Sequence, residues 1–299
     1  MTSRLSLKTQ LALLTTIVLW ASAFTLIRVS LESYSPGGMA LLRFLVASIV
    51  MWFIYQRRTD RRSIRGIDLL LSMAIGAIGI GWYNIGLAYG ELVVPSGIAG
   101  FIASQTPVVI AVLSIVFLHE KMHWTRLSGL ALSVLGMVLI ALSRGLSFSF
   151  SGGVACILFA CFSASVYFIL QKSLLKKYHF IDLTTYAVWG ATLFLLIFSH
   201  ALFLDVQHAS LKATVSVIYL GLLPGSIAYL TWAYVLSQIP ATRAASFLYF
   251  MPILAAVLGC VFLNEKLPLL AIVGGFVALL GVFVVNQSYR MAKNSASTV

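Results

Sequence analysis

The segment TPVVIAVLSIVFLHEK, residues 106–121, recurs as MPILAAVLGCVFLNEK, residues 251–266, and the two segments align without a gap. The shift between them, 145 residues, is close to half of the 299-residue chain. A repeat of this length is half of a two-lobed body, because solenoid repeats are only about 20 to 50 residues long. The sequence therefore predicts two copies of one helical unit, which we place at residues 1–146 and 147–299.

The composition indicates a protein of the lipid bilayer. Hydrophobic residues make up 61% of the chain, charged residues make up 9%, and the mean hydropathy is +1.01. This leaves too little polar surface for a water-soluble globule of the same size. Apolar runs of about 18 to 24 residues recur along the chain and are long enough to cross the hydrocarbon core as helices. We predict an all-α integral membrane protein with ten transmembrane helices, at about residues 10–30, 37–56, 67–90, 95–118, 125–143, 152–171, 182–204, 213–236, 242–263 and 268–287.

The positive charges indicate the orientation of the chain in the membrane. A formal net charge of +12 raises the question of nucleic-acid binding, but the cations form no basic face with aromatic stacking partners. They concentrate in every second predicted loop, above all between Arg57 and Arg65. By the positive-inside rule these loops are cytoplasmic, and so are both termini. The chain is predicted to be a multi-pass protein of the cell (inner) membrane, without a nucleic-acid partner.

The number of helices in each half determines how the halves are related. Because five is odd, the second half must enter the membrane from the side opposite to the first. The repeat is therefore predicted to be inverted about an axis in the membrane plane. Glu120 and its repeat equivalent Glu265 then lie on opposite faces of the membrane. We interpret their Glu-Lys pairs as motifs that cap helix ends and anchor them at the head groups, not as a catalytic pair.

The sequence lacks the motifs of several other classes of function. It contains no GxxxxGK[ST] loop and no dinucleotide-binding fingerprint, so no nucleotide partner is expected. The three cysteines lie within apolar runs, and the five histidines lie at helix ends or in loops, so neither a metal site nor another cofactor is predicted. No nucleophiles cluster at one depth, which argues against an enzyme.

Three prolines fall near the middle of the fourth, eighth and ninth predicted helices: Pro107, Pro224 and Pro252. Each removes a backbone hydrogen bond and bends its helix, and the freed carbonyl needs a partner inside the protein. A bend of this kind either shapes the packing or acts as a hinge. The symmetric placement of Pro107 and Pro252 favours a hinge role.

Small residues form a row on the fifth and the tenth predicted helices and permit close helix approach. This approach can occur within one chain or across a dimer seam, so the chain is either a monomer or a homodimer. The two rows are Gly129, Ser133 and Gly136, and Gly274, Ala278 and Gly281.

The polar residues inside the predicted helices are mainly uncharged. All eight acids fall in loops or at helix ends, which argues against proton-coupled export of a cationic drug and favours a neutral or zwitterionic solute. Aromatic side chains with a polar atom, together with amides, can bind such a solute, although any one of them can instead serve packing or the interfacial belt. The candidate substrate pathway consists of Trp20, Ser22, Tyr83, Asn84, Tyr89, Ser104, Gln105, Ser163, Tyr167, Gln171, Tyr229, Trp232, Tyr234 and Tyr249.

Arg43 is the one cation well inside a predicted helix, about 10 Å from its outer end at 1.5 Å per residue. It can extend outward to the head groups or be held by an ion pair or by carbonyl oxygens. Arg28 and Glu91 are predicted near the same outer end. These contacts of Arg43 would serve helix packing. The functional alternative is a gate, in which ion pairs among Arg28, Arg43 and Glu91 break and re-form.

The sequence resembles the EamA family of the drug/metabolite transporter superfamily along essentially its whole length. The resemblance rests on Trp20–Phe24, on Leu42–Leu45, on the Pro107–Lys121 segment with its repeat, and on Gly129–Gly136. It implies a ten-helix inverted-repeat fold and transport of small metabolites, amino acids or drugs, with export as the expected direction.

From these observations we predict a secondary transporter that works by alternating access between its two halves. The expected cargo is a small neutral or zwitterionic metabolite such as an amino acid. The alternatives are an exporter of drugs or other hydrophobic compounds, and a channel or membrane scaffold.

Overall fold

The computed structural model describes residues 5–59, 64–94, 96–103, 105–120, 122–143, 152–251, 254 and 269–295. Within these residues the protein is all-helical and contains no strand. In the described part of the chain, six helical rods are long and apolar enough to cross a membrane: Leu7–Ser30, Pro36–Gln56, Ile67–Val93, Gly152–Leu174, Phe180–His208 and Leu211–Gln238. This confirms an all-α, multi-pass membrane protein.

The helices of the first half follow the predicted order, with two differences. The rod Ile67–Val93 contains a π-helical segment, and the predicted helix 95–118 consists of two short helices. The elements are α1 (Leu7–Ser30), α2 (Pro36–Gln56), α3 (Ile67–Gly76), a π segment (Ala77–Trp82), α4 (Tyr83–Val93), α5 (Ser96–Ala103), α6 (Thr106–Leu118) and α7 (Trp124–Ser143).

The second half begins with a long helix and again contains a rod with a π-helical segment. Its elements are α8 (Gly152–Leu174), α9 (Phe180–Leu195), α10 (Ser199–His208), α11 (Leu211–Leu222), a second π segment (Leu223–Ile227), α12 (Ala228–Gln238), α13 (Ala241–Ser246) and α14 (Leu269–Ser295). Short 3-10 turns follow α9 and α13.

The helix starts follow from local side-chain chemistry. Ser6, Ser35 and Ser210 each have extended backbone, and each side chain accepts a hydrogen bond from an N–H of the first turn of α1, α2 or α11. These bonds satisfy donors that have no partner within the helix. Pro36 occupies the first position of α2, where a missing N–H costs nothing. Helix α6 ends at Leu118, and His119, the residue after it, has a left-handed backbone.

Helices α7 and α14 pack against each other through the two rows of small residues. A Cβ atom added to Gly136 would lie 2.3 Å from the backbone nitrogen of Ala278, and one added to Gly281 would lie 2.4 Å from the carbonyl oxygen of Gly129. Ser133 Oγ donates to the carbonyl of Ala278 at 3.1 Å. The two rows of small residues therefore pack against each other within the chain.

The outer surface of the bundle is apolar, as expected of a surface that faces lipid. Leu14 and Ile49 are each 58% exposed, and Phe203 is 67% exposed. The hydrophobic core lies between the rods and includes contacts between the two halves of the chain. One consequence is that polar groups in the interior need partners within the protein, from ordered water or from a bound solute.

Polar contacts at the helix ends join the two halves. Arg58, just after α2, forms an ion pair of 2.5 Å with Asp182 of α9. Asp205 of α10 accepts hydrogen bonds from the N–H and the hydroxyl of Ser35 at the start of α2, at 2.9 and 2.7 Å. Both ends of α2 are therefore held by carboxylates of the second half.

Glu120 was interpreted as a residue that caps its own helix and anchors it at the head groups. Its carboxylate instead accepts hydrogen bonds from the N–H of Ala241 at 2.9 Å and from the hydroxyl of Thr242 at 2.8 Å, at the start of α13. Nearby, Lys172 donates to the carbonyls of Leu236 and Ile239, where α12 ends. These two charged residues hold the turn between α12 and α13. Glu265 lies outside the described residues.

Candidate functional site

A cavity lies between helices of the first half and helices of the second. It encloses about 750 Å³ of atom-free space, including its open side. The first half contributes Trp20 and Phe24 from α1, Arg43 from α2, Gly79 from the first π segment and Tyr83 from α4. The second half contributes mainly Tyr167 and Phe168 from α8 and Tyr229 from α12.

Aromatic rings form one wall of this cavity. The Trp20 ring centroid lies 5.4 Å from that of Tyr229, 5.6 Å from that of Trp232 and 6.0 Å from that of Phe168. Trp232 is fully buried behind the wall, where it contacts Phe168 at 5.0 Å. Rings that contact one another edge-on or tilted hold each other in place. The wall therefore presents a rigid apolar surface to a solute.

The two π segments meet the cavity from opposite halves. Trp20 Nε1 donates to the carbonyl of Pro224, within the second π segment, at 3.3 Å. A Cβ atom on Gly79, within the first π segment, would lie 2.0 Å from Cβ of Tyr167, so only glycine fits at this contact. π segments are rare and often accompany functional sites. Pro224 accordingly lies in a π-helical segment and not at a simple kink.

A chain of polar groups extends from the cavity along α8. Tyr167 hydroxyl accepts a hydrogen bond from Gln171 Nε2 at 2.8 Å, and the same amide group contacts Thr184 Oγ1 at 3.4 Å. Gln171 is fully buried, and its Oε1 has no hydrogen-bond partner among the described residues. Gln171 thus positions the Tyr167 ring and does not itself line the cavity.

Arg43 is buried in the cavity wall, with 2% of its surface exposed. Its Nη1 donates to Asn84 Oδ1 at 2.7 Å, and Asn84 Nδ2 in turn donates to the carbonyl of Ile80 at 2.8 Å. The guanidinium carbon lies 5.4 Å from the centroid of the Phe44 ring. Arg43 therefore does not extend outward to the head groups, because a neutral amide and an aromatic ring hold it inside the protein.

Arg28 and Glu91 meet near the ends of α1 and α4, but not as an ion pair of side chains. Arg28 Nη1 donates to the backbone carbonyl of Glu91. The Glu91 side chain is fully buried, and neither of its carboxyl oxygens has a hydrogen-bond partner in the described part of the chain. The sequence placed this acid correctly at a helix end. It gave no sign of the burial, which arises from the packing of α4 against its neighbours.

The structure places several predicted pathway residues away from the cavity. Tyr89 is 45% exposed on the outer surface. Ser22 Oγ contacts the hydroxyl of Tyr219 at 3.0 Å in the contact between α1 and α11. Asn84, Gln171 and Trp232 are buried behind the lining and do not form part of it. Also outside the lining are Gln105, which precedes α6, Ser163, which is buried in α8, Tyr234, which packs on Phe180, and Tyr249, which is buried in the turn after α13. Ser104 and Pro252 lie outside the described residues.

Pro107 is not a mid-helix kink. It is the second residue of α6, which begins at Thr106 after the break that follows α5. Thr106 lines the cavity, and its Oγ1 donates to the carbonyl of Ala103 across the break at 2.6 Å. Proline is readily accommodated in the first turn of a helix. The chain therefore changes direction before Pro107, next to the cavity.

Phe24, Phe168 and Thr106 line the cavity but were not predicted. The prediction selected residues with polar atoms and so passed over both phenylalanines. A partial signal was present, since Phe24 follows Trp20 by four residues and hence lies on the same face of α1. For Thr106 the signal was the adjacent Pro107, which marks a helix start.

Comparison with known proteins gives matches over nearly the whole chain. A protein of Bacillus subtilis (strain 168), described as the uncharacterized transporter YdfC, is 39% identical over 271 residues, which cover 89% of this chain and 87% of the relative. A protein of Streptantibioticus cattleyicolor, described as a probable terminal-alkyne amino-acid exporter, is 35% identical over 287 residues, 96% of each chain. A solved crystal structure with 18% sequence identity matches with a TM-score of 0.76, over 95% of this chain and 98% of the other.

The sequence matches the EamA-like transporter family twice, over residues 7–142 and over residues 151–287. These two ranges together cover most of the chain, and the relatives are described as transporters and not as enzymes. The cavity, the all-helical membrane fold and the double match agree with one another. The chain belongs to the EamA-like transporter family, whose members are membrane transporters of small molecules.

Proposed function

We propose that this protein is a secondary transporter that exports a small, neutral or zwitterionic, amino-acid-like metabolite by alternating access. The observation that carries the proposal is the cavity between the halves, to which Trp20 and Tyr83 contribute from one half and Tyr167 and Tyr229 from the other. A site built from both halves changes shape when the halves move relative to each other. Such a site is typical of carriers built from inverted repeats.

We further propose ten membrane spans in two inverted sets of five. The repeat of residues 106–121 at 251–266 supports this arrangement. The π segments support it independently, because the shift of 145 residues that aligns the repeat also brings the segment Ala77–Trp82 onto Leu223–Ile227. With the cationic loops inside, both termini lie in the cytoplasm of a cell (inner) membrane protein.

The backbone irregularities around the cavity are the proposed points of bending. The two π segments and the break before Pro107 all lie beside the cavity and interrupt regular helical hydrogen bonding. Interruptions of this kind absorb changes in direction that a regular helix resists. On the side assigned to the cytoplasm, Glu120 and Lys172 hold the turn between α12 and α13. Opening toward the cytoplasm would require this contact to move.

Two features favour an amino-acid-like cargo over a purely hydrophobic drug. The relative from Streptantibioticus cattleyicolor is described as an amino-acid exporter. The cavity also combines an apolar aromatic wall with a guanidinium, which a purely hydrophobic compound would leave without a partner. The apolar wall keeps drug export as the second candidate.

Counterflow in proteoliposomes tests the proposal. Vesicles preloaded with an unlabelled amino acid should accumulate the labelled amino acid transiently, and the initial rate should saturate with concentration. Linear flux without stimulation from the opposite side would indicate a channel. If hydrophobic dyes stimulate the counterflow and no amino acid of a panel does, the result would favour the drug exporter.

A matched pair of tyrosine variants tests the site. Tyr229→Ala removes a ring of the cavity wall, whereas Tyr89→Ala removes a ring that is exposed on the outer surface. We expect Tyr229→Ala to lower the counterflow rate at least about tenfold, since burial of an aromatic surface is worth on the order of 1.5–3 kcal/mol. Tyr89→Ala should stay near the wild-type rate. Equal rates for the two variants would contradict the location of the site.

A further inference from the structure

We propose that Arg43 binds the carboxylate of the transported metabolite, so that the cargo must carry a carboxylate next to an apolar side chain. This inference deepens the proposed function and rests on it. It identifies the chemical class of the cargo from the one charged group in the lining of the cavity as the structure describes it.

The Arg43 guanidinium is only partly satisfied by the protein. Nη1 donates to Asn84, but Nε has no hydrogen-bond partner among the described residues. A guanidinium presents five N–H donors in a planar fork that matches a carboxylate. One neutral acceptor leaves most of these donors without a partner. A buried cation with unpaired donors is costly to the protein, and such a cation is typical of a site that binds an anion.

No carboxylate of the described ranges forms an ion pair with this cation. The ion pairs found there join Arg58 with Asp182, Lys177 with Asp68 and Lys212 with Glu32, all away from Arg43. Glu91, the fully buried acid on α4, has two carboxyl oxygens without hydrogen bonds. It follows Asn84 by seven residues, and its charge acts on the guanidinium, but it forms no hydrogen bond or ion pair with Arg43. The guanidinium donors that Asn84 leaves unpaired are therefore available to a solute.

The surroundings of Arg43 fit the rest of an amino-acid-like molecule. Asn84 holds the guanidinium in one orientation and is itself tied to the carbonyl of Ile80. Tyr83 and Tyr229 line the cavity together with Arg43, and Trp20 contacts Tyr229 at 5.4 Å. A carboxylate on Arg43 would thus leave the side chain of the solute on the aromatic wall. Fixed donors aimed at a carboxylate, with an apolar surface beside them, are the requirements for selecting this class.

Matched ligands test the inference with the wild-type protein. The probes are phenylalanine, phenylalanine amide, phenethylamine and 3-phenylpropionate, with leucine and leucine amide as an aliphatic pair. Binding to the purified full-length protein is measured by calorimetry, and inhibition of counterflow is measured in proteoliposomes. We expect each carboxylate to bind about 10- to 100-fold more tightly than its amide or amine, since a charge-assisted hydrogen bond contributes on the order of 1.5–3 kcal/mol.

Variants at Arg43 then assign the preference to this residue. Arg43→Gln should abolish the difference between acid and amide, and Arg43→Lys, which keeps the charge but loses the fork, should retain only part of it. Arg28→Gln is the matched control, because Arg28 donates to a backbone carbonyl and does not line the cavity. It should keep the wild-type preference for the acid. Each variant is checked for monodispersity and melting temperature.

Three results would overturn the inference: equal or tighter binding of amides and amines by the wild-type protein, an unchanged preference in well-folded Arg43→Gln, or no binding of any carboxylate probe. The first and second leave the proposed export function standing, since saturable counterflow of another solute would persist. Failure of the export function itself would be seen as absence of saturable counterflow with every solute. The wild-type comparison stands even if the Arg43 variants do not fold.

Discussion

Glu91 shows how a single residue can be costly to the fold. Its carboxyl group is fully buried, and neither oxygen has a hydrogen-bond partner in the described ranges. A buried polar group without a partner costs about 1–3 kcal/mol of stability. Glu91 lies on the same face of α4 as Tyr83 and Leu87, because these residues follow one another at intervals of four. Tyr83 and Leu87 line the cavity. A costly group in this position is expected to serve transport and not folding.

We therefore predict that Glu91→Leu raises the melting temperature of the purified protein by several degrees and lowers the counterflow rate. The leucine fills a similar volume and has no polar atom that requires a partner. Thermal unfolding in detergent and counterflow in proteoliposomes measure the two effects. Glu32→Leu is the control, since Glu32 is exposed and its 3.9 Å contact with Lys212 is weak. A lower melting temperature for Glu91→Leu would show that the carboxyl supports the fold.

Glu120 shows the opposite case, an acid whose partners are provided by the other half of the chain. Its two oxygens accept from Ala241 N–H and Thr242 Oγ1 at 2.9 and 2.8 Å. Removing both bonds in Glu120→Ala should cost about 1–3 kcal/mol. Glu120→Gln keeps one acceptor oxygen and should lie between alanine and wild type. The measurement is thermal unfolding, and an alanine variant as stable as wild type would refute the role of this contact.

At the scale of the elements, the close packing of α7 on α14 decides which residues are tolerated. The two backbones approach so closely that any side chain at Gly136 collides with α14, whereas a Cβ atom at Gly152 meets nothing within 4 Å. Helices in lipid associate through such close contacts, because burial of apolar surface gives no advantage there. The rows of small residues therefore hold these two helices together.

Gly136→Val should destabilise the protein by about 1–3 kcal/mol, the usual cost of overpacking, and Gly281→Val should do the same on the opposite helix. The double variant should cost no more than the sum of the two, because separating the helices once accommodates both side chains. Gly152→Val serves as the control and should leave the melting temperature unchanged. Melting temperatures of the four variants in one detergent measure these effects. A tolerated Gly136→Val would mean that α7 and α14 are not in contact in the membrane.

For the whole molecule, the proposed inverted arrangement predicts the side of the membrane on which each loop lies. His208 at the end of α10 should face outward, and Lys176 after α8 should face the cytoplasm. Both are exposed in the structure. Single cysteines at these positions, in a background with Cys156, Cys161 and Cys260 replaced by alanine, should react differently with a membrane-impermeant thiol reagent. His208→Cys should label in intact cells and Lys176→Cys only after permeabilisation; the reverse pattern would invert the assigned topology.

The fold and half of the site follow from the chain itself, because the underlying signals are local. Helices in lipid satisfy their own backbone groups, so the apolar runs and their charged ends predicted the class of fold and most of the helix positions. The repeat predicted two similar halves, and the small residues predicted close helix packing, although only the structure shows that α7 packs on α14. Trp20, Tyr83, Arg43, Tyr167 and Tyr229 were recognised because ring and polar atoms deep in apolar runs are unusual.

The tertiary structure alone decided how these residues are used. Tyr89 is exposed on the outer surface and Tyr229 faces the cavity because of the rotation of each helix about its axis. The sequence of a helix that is apolar on all sides does not indicate this rotation. The hydrogen bond between Arg43 and Asn84 joins residues 41 positions apart, and the contact of Glu120 with α13 joins residues 121 positions apart. The burial of Glu91 depends on several helices at once. The sequence by itself determined a helical, multi-pass membrane protein, because hydropathy and charge are properties of each segment, and its resemblance to the EamA family indicated a transporter. Packing determined the cavity and the place of the Arg43 guanidinium in its described lining, because contact between distant segments is a property of the folded whole.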